Sequence, residues 1–425
     1  MEPKQVLSVD EIKLSDLDFW QRPWDEREGA FLTLREERPI SFHEENEVEI
    51  LPKGPGYWAL TLHQDVVHAS RNPEIFCSGQ GTNINDLPAP FQEFFGSMIN
   101  MDDPRHGRLR RIVSRGFTPR MIAKAELEVT RAATKIIDDV IEKGECDFVS
   151  EIAAKLPLKI ICDMMGIPES QYDMVFEKSN LILGAGDPDF VTDINLIIPQ
   201  LLMAGAELAN LMKDLAKFRR KTPSDDLTSA LVNTEIDGET LDDQEMGSFF
   251  VLLTVAGNET TRNAISHGMK ALCDYPAERA KWQADFNGVA PTAIEEIVRW
   301  STPVIHFRRT ATRDVELRGQ KIRKGEKVVL WYNSANRDPA VFDEPYRFDL
   351  TRDPNEHVGF GGPGPHHCVG AHLARREMTI MFREIFDRIP DLEITSEPDR
   401  LQSFFIHGIK RMPCAFSPGR PSKAA

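Results

Sequence analysis

The stretch from Arg352 to Gly370, RDPNEHVGFGGPGPHHCVG, constrains this chain more than any other. Glycines at 359, 361, 362, 364 and 370, with prolines at 363 and 365, cannot propagate a helix or a β-ladder. The pattern therefore predicts a rigid, tightly turning loop that runs into the helical segment AHLARREMTIMFREIF. Cys368 stands at that junction. A cysteine at a helix start meets unpaired backbone N–H groups and the positive end of the helix dipole, and both favour the thiolate. Cys368 is therefore expected to be a metal ligand or a nucleophile.

Around this loop the apolar residues recur at three and four between Met121 and Ile141, Ser150 and Met165, Asp193 and Arg220, and Asp243 and Leu272. Strand signals are short: YWALTLH, and the series VELRGQKIRKGEKVVLWY with turns at Arg318-Gly319 and Lys324-Gly325. The expected fold is mainly α with small peripheral β-sheets (α+β). No Gly/Ser-rich or charge-run linker divides the 425 residues, so one large domain is expected over 13–416, with flexible ends at 1–12 and 417–425.

A formal net charge of −16 argues against a nucleic-acid partner. No apolar run approaches the ~20 residues that cross a bilayer, and charges fill the segment MEPKQVLSVDEIK, so a cytoplasmic, soluble protein with no membrane span is expected. The six cysteines lie far apart with no CxxC pair, which argues against a disulfide framework. Burial as small hydrophobes is the plain reading for all of them except Cys368.

Taken alone, the loop leaves three readings. His366, His367, Cys368 and His372 resemble a zinc cluster, but zinc sites seldom need five glycines upstream. A catalytic cysteine needs a base and an oxyanion hole that the local sequence does not specify. A haem ligand accounts for glycines that let the backbone approach a flat group, and for N–H groups aimed at the sulfur.

Two further segments have no place in the first two readings: AGNETT at Ala256–Thr261 and EIVR at Glu296–Arg299. In this order and spacing the three segments resemble the cytochrome P-450 family of haem-thiolate monooxygenases. The similarity extends over nearly the whole chain, through PGYWAL, DDPRHGRLRR, RRTATRDVELRG and ANRDPAVFDEP to HCVGAHLARRE. One departure stands out. The family loop carries Phe seven residues before the cysteine, whereas here Gly361 holds that place and Phe360 lies eight before. INDLP, FFGSMI, ICDMMGIP, ILGAGDPD and FIHGIK are similar to mycobacterial hydroxylases of methyl-branched lipids and sterol side chains.

The resemblance implies haem b on Cys368, dioxygen as co-substrate, and a cofactor site that includes Phe360, Gly361 and Gly370. In the helix at 243–272, Ala256 and Gly257 offer two small side chains against which a planar group can lie. The Thr260 hydroxyl, four residues on, can take the Ala256 carbonyl out of the ladder and open a local bulge. Glu259 and Thr260 fit a proton relay; a bent helix with a solvated Glu259 is the plainer alternative. Glu296 and Arg299, one turn apart, suit a bidentate ion pair. By resemblance this pair extends to Arg337 and anchors the cysteine loop. His106, Arg110, Arg309 and His366 are implied as partners of the haem propionates, with Arg309 preferred to its neighbour Arg308.

Arg108, Arg111 and Arg115, with Arg375 and Arg376, are implied as a patch that docks an acidic ferredoxin, itself served by a ferredoxin reductase, because the chain carries no flavin or iron–sulfur module of its own; a solvated helix face is the alternative. Leu252, Val255, Val304, Ile305 and Phe405 are the candidate substrate contacts, each equally readable as core. The implied activity is hydroxylation of an unactivated C–H, a terminal methyl, on a branched lipid, isoprenoid or sterol side chain. A peroxide-driven peroxygenase and a non-enzymatic haem or lipid carrier are the alternatives. The reduced carbon monoxide complex of the purified protein is expected to show the red-shifted Soret band of a thiolate-ligated haem; a zinc protein without visible absorption would end this reading.

Overall fold

The computed structural model describes residues 2–46, 53–87, 89–114, 119–184, 186–233, 235 and 240–422. Its axis is one 32-residue helix, Asp243–Asp274. Asp242 caps it, accepting from the Gln244 and Glu245 amides, while Glu245 reaches back to the Asp242 amide in a capping box. The helix is buried on nearly all sides, as its mixed apolar and small-residue sequence requires. Helices Lys155–Met165, Tyr172–Gly184, Ile197–Lys221, Phe286–Ser301 and Ala371–Arg388 all pack on it. Among the described residues no helix is long and apolar enough to cross a membrane.

The helices read from periodicity are present as Pro119–Val140, Lys155–Met165, Ile197–Lys221 and Asp243–Asp274. The turn at Arg318-Gly319 has both residues at positive φ, +48° and +79°, the geometry of a two-residue hairpin between Val315–Leu317 and Gln320–Ile322. Strands Ile40–His43, Phe76–Cys77 and His306–Ala311 gave no alternating signal, since two are very short and the third carries two consecutive arginines. They complete a five-stranded sheet in the order Ile40–His43, Tyr57–Leu60, Lys327–Trp331, His306–Ala311, Phe76–Cys77. A three-stranded sheet joins Glu145–Asp147, Pro413–Ala415 and Glu393–Ile394.

The cysteine loop is held by a buried ion pair. Glu296 and Arg299 are wholly buried and meet through two bonds of 2.7 Å. Arg299 also donates to the carbonyls of Asn336, Pro345 and Arg347. Glu296 accepts from Arg352 Nε, Asn355 Nδ2 and the Asp349 amide. The third charged member is thus Arg352, and the assignment of Arg337 is corrected. Arg337 faces Glu28 at 3.4 Å, and its guanidinium lies 5.5 Å and 5.4 Å from the ring centroids of Trp24 and Trp300. Asn336 relays the anchor onward, because its side chain accepts from the Val358 amide at 2.7 Å.

The glycines pack this loop closely against its neighbours. A Cβ on Gly364 would lie 2.2 Å from the Ser70 carbonyl oxygen, and one on Gly359 would lie 2.6 Å from Val298 Cγ1. Gly361, at φ +85° with no close neighbour, is required for backbone conformation alone, whereas Gly364, at φ +156°, is required for both conformation and space. Removing one partner of a buried pair strands the other charge, at a cost of about 3–5 kcal/mol. Glu296→Gln is expected to lower the unfolding free energy from urea titration by that amount, and so the midpoint, and Arg352→Ala by less, since the Glu296–Arg299 pair stays intact. Equal midpoints for Glu296→Gln and the parent would contradict the anchoring role.

Candidate functional site

Between the central helix and the cysteine loop lies one large cleft, enclosing about 1680 Å3 of non-atom space with its mouth included. Its walls are drawn from the central helix, the cysteine loop, the helix at Arg105–Ser114 and the strand His306–Ala311, so it is enclosed by segments from most of the chain. Cys368 is exposed to this cleft. Burial pushes its thiol pKa up, and this outweighs the amides of Gly370 and Ala371 and the charges of Arg110 and Arg375, all of which pull it down. A metal cation at the sulfur would reverse that balance. The Cys368 amide donates to the Phe360 carbonyl at 2.9 Å, which closes the loop.

Phe360 lines the cleft with Arg375 stacked over its ring, 4.4 Å from the centroid. Arg375 is in turn held by a bidentate bond to Glu295 at 2.6 and 2.8 Å. Burial opposes ionisation of Glu295, but Arg375 and His357 hold its pKa at about 2. Glu295, the neighbour of Glu296 on the same helix, is therefore the residue that orients Arg375. Gly361 and Gly370 also line the cleft, as does Glu377, a buried carboxyl whose pKa burial raises to about 8. No sequence motif pointed to Glu377.

One rim of the cleft gathers His106 and Arg110 from the helix Arg105–Ser114, Arg309 from the strand His306–Ala311 and His366 from the cysteine loop. The rings of His106 and His366 lie 4.2 Å apart. His106 Nε2 is buried without a partner. Burial, then Arg309, His106 and Arg110, push the His366 pKa down to about 2, while burial and Arg110 lower that of His106. Two arginines and two neutral imidazoles with an orphaned ring nitrogen make an incomplete anion site, and haem propionates would complete it. Arg308 is absent from the rim because it is tied to Asp86 and to the Gln80 and Asn83 carbonyls. The donor set, the thiolate position and the space between them all fit a haem. Among the described residues no three His, Cys, Asp or Glu side chains cluster as a metal site, which leaves the zinc reading without a ligand set.

The central helix supplies the other wall through Leu252, Leu253, Ala256, Gly257, Thr260 and Ala264, a spacing of three and four that presents one face. Thr260 Oγ1 donates to the Ala256 carbonyl at 2.6 Å. The helix nevertheless runs unbroken from Asp243 to Asp274, so the expected bulge does not form. A Cβ on Gly257 would lie 2.3 Å from Ile161 Cδ1, which makes this position a close helix–helix contact as well as a cleft wall. Glu259 does not line the cleft. It is buried, ion-paired with Arg262 and bonded to Asn263 Nδ2 at 3.1 Å.

Of the expected substrate contacts, Leu252 and Val304 line the cleft, and Val255, Ile305 and Phe405 do not. Val255 is one residue off the lining face and so turned by a quarter of a turn. Ile305 follows Val304 in extended chain, points the other way, and packs with Val329 and Trp331. Phe405 sits behind Phe307, ring centroids 5.6 Å apart, and it is Phe307 that reaches the cleft. Reading outward from Thr260 by helical spacing alone would have found Leu253 and Ala264.

The basic patch is partly neutralised. Arg108 bridges Glu245 at 2.7 Å, Arg375 bridges Glu295, and exposed Arg376 lies 3.5 Å from Glu126. Arg111 is exposed. Arg115 lies outside the described residues.

The model of the family described as Cytochrome P450 matches residues 92–390. A methyl-branched lipid omega-hydroxylase of Mycobacterium tuberculosis is 51% identical over 418 residues, 98% of this chain and 97% of that protein. A steroid C26-monooxygenase of Mycolicibacterium smegmatis is 42% identical over 360 residues, covering 84% of this chain and 82% of that one. The solved structure of a Mycobacterium marinum cytochrome P450 in complex with pseudoionone superposes with a TM-score of 0.92 at 44% identity, covering 97% of this chain and 100% of the other. With a cysteine-loop cleft, a buried ion pair beneath it and relatives of this similarity, the chain belongs to the cytochrome P450 family of haem-thiolate monooxygenases.

Proposed function

We propose that this monooxygenase hydroxylates a terminal methyl of a branched lipid, isoprenoid or sterol side chain, with electrons relayed by a ferredoxin and its reductase. The observation that carries the reading is the wall built by Phe249, Leu252, Leu253, Val304 and Phe307, which offers hydrocarbon contact and no charge. Such a wall binds by burial of apolar surface, at roughly 25 cal/mol per Å2, and discriminates by shape. The names of the relatives, a hydroxylase of methyl-branched lipids and a monooxygenase of steroid C26, agree with that chemistry.

When bound, haem supplies the iron at which dioxygen is reduced and one oxygen atom is inserted. Cys368 would hold it from the loop, Arg110 and Arg309 would neutralise its carboxylates, and His106 and His366 would supply neutral ring N–H donors to them. Thr260 is the hydroxyl on the central-helix wall and keeps a proton donor in an otherwise apolar stretch. Glu259 is the adjacent acid, and its bond to Arg262 must open before it can pass a proton to Thr260. Exposed Arg111 and Arg376 lie on the two helices that also carry Arg110 and follow Cys368. Positive charge there favours an acidic electron donor.

Thr260→Ala is expected to keep oxygen consumption while product falls by about tenfold or more and hydrogen peroxide rises; unchanged coupling would remove Thr260 from the relay. Titration with methyl-branched lipids and sterols, followed by product analysis, is expected to give a spectral shift and terminal alcohols. Strong turnover with hydrogen peroxide and none with ferredoxin and reductase would replace the monooxygenase reading with a peroxygenase.

A further inference from the structure

Two cysteines that do not line the cleft are placed face to face. Cys146 and Cys414 are direct partners in the antiparallel pairing of Glu145–Asp147 with Pro413–Ala415. Their sulfurs lie 3.5 Å apart. Directly opposed residues of an antiparallel pair have Cα atoms about 4.5–5.5 Å apart, within the ~4.4–6.8 Å that a disulfide spans. Closing the bond therefore needs only side-chain rotation and a small approach of two already paired strands. The sequence reading treated both residues as inert core, because 268 positions separate them and no spacing rule links them.

The two thiols differ in a way that suits sequential oxidation. Cys146 is half-buried and reachable from solvent, whereas Cys414 is 2% exposed and packed into the core beside Ile394. Hydrogen bonding with Cys146, then burial, pushes the Cys414 thiol pKa up, which makes Cys414 the slower nucleophile of the pair and leaves the first oxidation to Cys146. Oxidisable cysteines are characteristically accessible and placed next to a resolving thiol.

We propose that Cys146 and Cys414 are a peroxide-oxidisable pair, in which Cys146 is attacked first and Cys414 resolves it to a disulfide across the sheet. The Cys146 sulfur attacks hydrogen peroxide, breaking the O–O bond and giving the sulfenic acid and one water. The Cys414 sulfur then displaces the hydroxyl, which leaves with the Cys414 proton as a second water. The two thiols lose two electrons and two protons, and one peroxide becomes two waters. The site rests on strand register and sulfur geometry alone, so it stands independently of the substrate and electron-donor proposals.

The test uses the reduced, full-length holoprotein. A small molar excess of hydrogen peroxide is added, residual thiols are capped with iodoacetamide in denaturant, and the non-reduced digest is read by mass spectrometry. The expected product is a peptide pair joined through Cys146 and Cys414 that separates on adding dithiothreitol, while Cys77 and Cys162 remain fully capped. In Cys414→Ser, dimedone is expected to trap a sulfenic acid at Cys146. In Cys146→Ser, a change at a half-buried position that keeps the test open should Cys414→Ser not fold, Cys414 is expected to stay reduced. Absence of the cross-link, sulfinic acid at Cys146 in its place, or oxidation of Cys414 in Cys146→Ser would overturn the proposal.

Discussion

The buried pair of Glu296 and Arg299 is the interaction on which the rest of the site depends. Taking both charges out of water is costly, and the arrangement is stable only because every remaining donor and acceptor is used. The carbonyls of Asn336, Pro345 and Arg347 and the groups of Arg352, Asn355 and Asp349 satisfy them. Those partners lie in the chain that leads to Cys368. The pair thus turns an electrostatic requirement into a fixed path for a loop that has almost no secondary structure of its own. The Asn336 side chain carries the constraint to Val358, and the Phe360 carbonyl carries it to the cysteine.

The cleft divides its chemistry by wall. Charge is collected on one rim, where His106, Arg110, Arg309 and His366 converge, and at the loop, where Arg375 covers Phe360. The central helix contributes hydrocarbon and two threonines, of which Thr260 is bonded to the Ala256 carbonyl. Glu259 is kept off that wall by Arg262, so the acid and the alcohol are sequence neighbours on different faces of one helix. Placing the acid in a buried ion pair keeps a free charge away from the substrate space.

The parts of the site legible in the sequence are those that local chemistry dictates. A thiol before a helix start, two small residues beside a threonine, and a carboxylate three residues before an arginine each define a geometry within one or two turns. What the sequence hid are choices between neighbours that only packing resolves. Arg337 and Arg352 are both near Glu296 in sequence logic, but two tryptophans and Glu28 take the first. Val255, Ile305 and Phe405 are as apolar as their neighbours, and a turn of a helix or an alternation of a strand directs them into core instead. The strand His306–Ala311 was equally opaque, since Arg308 is buried where distant carbonyls and Asp86 receive it, and Arg309 where it reaches the Arg308 carbonyl and the cleft rim. Fold class needed only periodicity, whereas membership of the cleft wall needed the angle of each side chain.

The anchors of the cysteine loop are scattered along the polypeptide, at Ser70, at Glu296 and Arg299, and at Asn336, while Cys368 itself is followed by only 57 residues of the 425. Chains are made from the N-terminus, and segments far apart in sequence meet slowly. The ligand thus leaves the ribosome after all three of its supports, and it can be aimed only once they have assembled. Haem capture is therefore a closing event in the life of a newly made molecule, gated by completion of the fold.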